Sequence, residues 1–151
     1  MDLNESRVRA RYGRIPQDDQ VVGYLKALKV IAGADGSIPK AEADALSKGM
    51  DRLGVPDATR KEIEAFDFKK AKLEDVLPAM KQGGLRARML LRDAVDLARA
   101  DGTYAAKEKA AVAKAAKLLG VDSATLGSIE ALVELEHSVA HLRKALFPKK
   151  K

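Results

Sequence analysis

The chain has 151 residues, of which 46% are hydrophobic and 33% charged, and a formal net charge of +6; this is the size and balance of one globular domain whose core closes without metal or disulfide. The absence of cysteine excludes thiol catalysis, thiolate zinc sites and a disulfide framework, while two histidines, no tryptophan and 4% aromatic residues leave little for imidazole acid–base chemistry or base stacking. The N-terminus, Met1 to Arg7, carries charges where a secretory signal needs an apolar run, and no stretch approaches ~18 uninterrupted apolar residues, so the expected location is the cytoplasm, with attachment at most peripheral to the inner membrane.

Twenty-six alanines, with Leu, Lys, Glu and Arg filling most other helix-favouring positions, and no strand-length alternation predict an all-α fold. After an N-terminal helical arm around residues 3–12, Asp18 and Asp19 open a helix that ends near Ala34, with Val21, Leu25, Leu28 and Ile31 as its apolar stripe. A second starts at Pro39, runs through Ala43, Leu46 and Met50, and stops at Gly54. Two short helices are expected at 57–66, opened by Asp57, and at 72–82, with Leu73, Val76, Leu77 and Met80 as its apolar face. Gly83-Gly84 breaks the chain before helices at 85–100, 105–119 and 122–146. The expected organisation is a basic arm (1–17), a helical domain (18–146) and a basic tail (147–151).

Shifting the sequence by 66 residues lays Ala32-Gly33-Ala34-Asp35-Gly36 on Ala98-Arg99-Ala100-Asp101-Gly102, and ten of the twenty-four pairs over 32–55 are identical. Each copy reads helix, Ala-Asp-Gly turn, helix with Glu seven residues after the Asp, then Leu-Gly-Val (Leu53-Gly54-Val55 and Leu119-Gly120-Val121). This is a duplicated helical hairpin. The doubled motif resembles the tellurite-resistance TerB family over residues 18–146. The resemblance implies a compact bundle of about seven helices with internal two-fold pseudosymmetry, related to the helical region that precedes the J domain in some membrane-anchored co-chaperones. It further implies a bacterial tellurite, phage or stress response, a metal-sensing or metal-binding role, and no enzyme activity.

The two turns copy the second half of a calcium loop: a carboxylate (Asp35, Asp101), a turn glycine, an apolar anchor and a closing Glu (Glu42, Glu108). The first half of that loop is missing, since Ile31 and Gly33, or Leu97 and Arg99, stand where its first oxygen ligands belong. Each residue also has a sufficient local reason to be there: Asp to turn the chain, Gly for positive φ, Glu for the first turn of a helix. In the second copy Asp93 and Asp96 precede the turn, so Asp93, Asp96, Asp101 and Glu108 form a candidate hard-cation or basic-partner site, against which Arg92 and Arg99 offer plain ion pairing. His137 and His141, four apart with Glu130 and Glu134 on one face, have Zn²⁺-compatible spacing. The stripe Ile129, Leu132, Val139, Leu142 and Leu146 points the other way, so that histidine face is expected to be solvated.

The basic balance lies in the ends: without Arg7, Arg9, Arg11, Arg14 and Lys149–Lys151 the rest carries about −1. Ala116, Gly120 and Leu126 have helix-turn-helix spacing, but residues 122–136 hold four acids and no Lys or Arg, a field that repels phosphates, so nucleic acid is disfavoured. No catalytic set can be named. The leading reading is a non-enzymatic interaction module that binds a protein partner, in a membrane-associated complex or otherwise. It requires no cofactor, with a divalent cation of the Ca²⁺ or Mg²⁺ class as modulator through Asp35, Glu42, Asp93, Asp96, Asp101 and Glu108. The alternatives are a metal-ion or oxyanion binding protein that uses the acidic turns, and electrostatic attachment to membrane or nucleic acid through the basic ends.

Overall fold

The computed structural model describes residues 18–77 and 79–150, with side chains from residue 21 onward; the expected arm around residues 3–12 lies outside them. Seven helices and no strand occur among the described residues: α1 (Asp18–Ala32), α2 (Lys40–Leu53), α3 (Asp57–Ala65), α4 (Leu73–Val76), α5 (Leu85–Ala98), α6 (Ala106–Leu118) and α7 (Ser123–Leu146). The fold is an all-α bundle with an internal duplication.

Six of these elements follow the expected bounds closely, and the fourth does not. The helix expected over 72–82 is a single turn, because Leu77 precedes Pro78 and takes the extended conformation (φ −59°, ψ 123°) that a residue before proline prefers. Proline also has no N–H to continue the ladder.

The hairpins α1–α2 and α5–α6 carry the repeat, and their packing mirrors the sequence shift. α1 and α5 pack on each other, α1 reaches α6 as α5 reaches α2, and α1 holds α3 as α5 holds α7. The core positions correspond in the same way: Leu25 with Leu91, Leu46 with Val112, Met50 with Ala116 and Ile63 with Ile129, all buried. Each exit glycine is left-handed (Gly54 φ 66°, Gly120 φ 69°), which lets the Val55 N–H reach Met50 O at 3.1 Å and the Val121 N–H reach Ala116 O at 2.8 Å.

Outside the repeat the halves differ. Lys29 donates to the carbonyls of Ile63 (2.7 Å) and Glu64 (2.9 Å), a cation closing the C-terminal end of α3 where orphan carbonyls gather. α7 opens on Asp122, whose carboxylate accepts from the Thr125 N–H at 2.7 Å. Its core contacts are Leu126, Ile129 and Val133.

That choice of face on α7 reverses the sequence expectation. Leu132, Val139, Leu142 and Leu146 are exposed, while His137 turns toward α5 and meets Asp96 at 2.6 Å. Val133, Glu136 and His137 follow Ile129 at three- and four-residue steps, and this row rather than the more apolar one lies on α5.

Candidate functional site: a buried carboxylate pair between the two copies

Glu42 and Glu108 begin the apolar stripes of their helices, four residues before Leu46 and Val112 and eight before Met50 and Ala116. A side chain in that register enters the core. The two glutamates are 1% and 3% exposed, the buried charged residues of the described chain. One comes from each copy, and their carboxyls lie close enough to share a hydrogen bond. Neither Glu42 Oε2 nor Glu108 Oε2 has an N–H or O–H partner among the described residues. Buried carboxylate oxygens without donors are costly, so two facing carboxylates require a shared proton or a cation.

The turns bring Asp35 and Asp101 into the same electrostatic neighbourhood. Each aspartate uses one oxygen on its own turn: Asp35 Oδ1 accepts from the Ser37 N–H at 3.2 Å, and Asp101 Oδ1 from the Thr103 N–H at 2.8 Å. Gly36 and Gly102 hold φ of 98° and 86°, the region in which glycine alone is unstrained.

Electrostatics separates the two glutamates. Burial first, then the charges of Glu108, Asp101 and Asp35, pushes Glu42 up to about 8. Burial also raises Glu108, but the Ala105 N–H, donating to Glu108 Oε1 at 3.3 Å, opposes it. The equivalent position in the first copy is Pro39, which has no N–H to give. Of the two, Glu42 is therefore the one held more firmly in its protonated form. Tyr104, where the first copy has Ile38, adds a phenol that burial and the neighbouring Glu130 and Glu108 keep protonated.

Asp93 and Asp96 belong to a different cluster. The Tyr24 hydroxyl donates to Asp93, and Arg92 pairs with Asp93 at 3.2 Å, Asp96 at 3.4 Å and, across to α7, Glu136 at 3.2 Å. His137 completes it on Asp96. The four-acid group of Asp93, Asp96, Asp101 and Glu108 expected from the second copy alone is thus not assembled: two of its members face Arg92, and the other two face the first copy. His141 is exposed, and no group of three or more His, Asp or Glu among the described residues stands ready-made to hold an ion. The buried glutamate oxygens are of the kind a hard cation takes, and Asp35 and Asp101 are near enough to act on them through their charge.

Reading each copy as a separate loop does not bring Glu42 and Glu108 together. The signal lay in the register, since an acid on a core stripe, duplicated, has its twin as its natural neighbour.

Residues 60–131, which include the whole second turn, match the family model described as tellurite resistance protein TerB. The crystal structure of a tellurite resistance protein from Nostoc punctiforme superimposes with a TM-score of 0.80 at 26% sequence identity, covering 98% of this chain and 94% of that one. The chain is TerB-like. Comparison with curated proteins returns no match. Both halves of the TerB-like bundle, and the joint between them where Glu42 and Glu108 meet, lie within the span shared with the Nostoc protein. Among the described residues no helix is long and apolar enough to cross a membrane.

Proposed function

We propose that this TerB-like chain is a non-enzymatic interaction module of a stress or tellurite-resistance system, whose state is set by a divalent cation at the Glu42–Glu108 pair. The observation that carries this reading is the pair of buried carboxylate oxygens, one from each copy, that no N–H or O–H of the described residues reaches. Asp35 and Asp101 supply further oxygen donors from the two turns, a set that suits the Ca²⁺ or Mg²⁺ class. A bound cation supplies positive charge in place of the shared proton. The chain's own residues do the rest: Glu42 gives up its proton, and α2 and α6 are drawn to a common centre, so the two copies are clamped together. The protein partner then meets a stiffened bundle.

A thermal melt in EDTA, then with Ca²⁺, Mg²⁺, Mn²⁺ or Zn²⁺, tests the site on wild type and on Glu42→Gln/Glu108→Gln. A ligand at a hundred times its Kd adds about 2.7 kcal/mol, a shift of roughly 5–10 °C at this chain length. The wild type is expected to show that shift with at least one ion and the double variant none. If no ion moves the wild type, the pair is a structural contact that shares a proton.

A further inference from the structure

Glu42 and Glu108 are 1% and 3% exposed, so a proton or cation reaches the pair only when an element of the bundle moves. The two halves of the repeat are not seated alike, and the difference singles out one helix. Among the described residues α6 packs on α5, α1 and α7, whereas the main seat of α2 is α5. Within the second hairpin α5 and α6 lie against each other. Within the first, α1 and α2 stand apart, and a cavity of about 130 Å³ opens between them, bordered by Tyr24 and Leu28 of α1, Ala45 and Gly49 of α2, and Met89 and Leu97 of α5. Gly49 and Leu53 are partly exposed, while their counterparts Ala115 and Leu119 are 0% and 3% exposed. A methyl group added at Gly49 would meet no atom within 4 Å.

The two ends of α2 are held unequally. In its C-terminal half the Arg60 side chain of α3 donates to Ser47 Oγ at 2.9 Å and pairs with Asp51, and the turn at Gly54 brings the Val55 N–H back to Met50 O. At the N-terminal end, where Glu42 stands, the helix starts at Pro39 without a side-chain cap, after the exposed run Asp35-Gly36-Ser37. The same end of α6 is tied by the Ala105 N–H to Glu108.

We propose that α2 is the gate of the buried pair: it pivots about its C-terminal half, lifts Glu42 away from Glu108 and admits solvent, while α6 keeps its place. Few packing partners and an unfilled space beneath the helix make this motion easier than unfolding of the bundle. The opening itself needs no cation; entry of one by this route rests on the function proposed above.

Amide hydrogen exchange on the full wild-type chain in EDTA tests the gate without any substitution. Protection of the amides at 44–50 is expected to be roughly tenfold or more below that of their counterparts at 110–116, through an opening that low urea hardly accelerates, the mark of a local motion. Equal protection in the two helices overturns the proposal, whether or not an ion binds. The native chain has no cysteine, so Glu108→Cys sets a single thiol on the α6 side of the pair. Its reaction with a thiol reagent is expected to keep pace with α2 exchange, and labelling that instead follows global unfolding overturns the gate. Should that variant not fold, wild-type exchange decides. Any of the four ions that raises the melting temperature is expected to slow exchange in α2 more than in α6. A raised melting temperature without that slowing overturns the gate and leaves the cation site standing. If no ion raises it, the cation site fails, and the gate is still decided by the exchange in EDTA.

Discussion

The first turn, Asp35 to Glu42, and the second, Asp101 to Glu108, share a pattern and differ in one donor. Both hold a left-handed glycine, an aspartate bonded to the N–H two residues on, and a buried glutamate in the first turn of the following helix. Ala105 gives its N–H to Glu108, while Pro39 has none for Glu42. Duplication makes the site, and a single imino acid makes its two halves chemically unequal. The lesson is that equivalence of fold does not carry equivalence of proton affinity, which depends on individual N–H groups.

Equivalence of the scaffold is tested by the largest effects. Leu25→Ala and Leu91→Ala remove corresponding side chains of the two central helices, 1% and 0% exposed, and each is expected to cost about 2–5 kcal/mol by urea unfolding. A cost below about 1 kcal/mol in either would break the correspondence.

Inequality of the glutamates is tested by pH. Glu42, raised to about 8 from an ordinary 4.5, binds a proton in the folded state that the unfolded state lacks between those values. Stability in EDTA is therefore expected to fall as pH rises from about 4.5 to 8, by at most about 1.4 kcal/mol per pH unit. Glu42→Gln is expected to flatten that fall, and Glu108→Gln to flatten it less. Pro39→Ala sharpens the comparison by restoring the missing N–H. A hydrogen bond to a carboxylate is worth about 1.5–3 kcal/mol, so the upper end of the window is expected to move down by roughly one pH unit or more. An unchanged window would show that the proline is not what separates the copies.

The smallest effects concern the turn glycines. Gly36 and Gly102 have no atom within 4 Å of an added Cβ, so only backbone strain opposes alanine there. Gly36→Ala and Gly102→Ala are expected to cost about 1 kcal/mol each, and equally, in thermal or urea unfolding.

Much of this architecture is legible in the chain. The 66-residue shift marks both hairpins, and the left-handed glycines 54 and 120 mark their exits, because such signals are local and act within one turn. The expected length of α4 exceeds the observed turn because apolar spacing continues through Leu77 and Met80, although a proline at 78 cannot extend the ladder. The orientation of α7 departs from expectation for a different reason. Its most regular apolar row is not the one the bundle covers, and hydrophobic periodicity names a seam without saying which neighbour fills it. In the candidate site Asp35, Glu42, Asp101 and Glu108 are identifiable as residues, but the meeting of Glu42 with Glu108 depends on how the hairpins cross. Closeness in sequence groups Asp93 and Asp96 with the second turn, while Arg92, Tyr24 and His137 hold them elsewhere.

Because one glutamate comes from each copy, the chain has a single buried carboxylate pair at its joint rather than one per repeat. The unit Asp-Gly to Glu is half of a pair, and a half-length ancestor with one such unit would complete it only by meeting its twin.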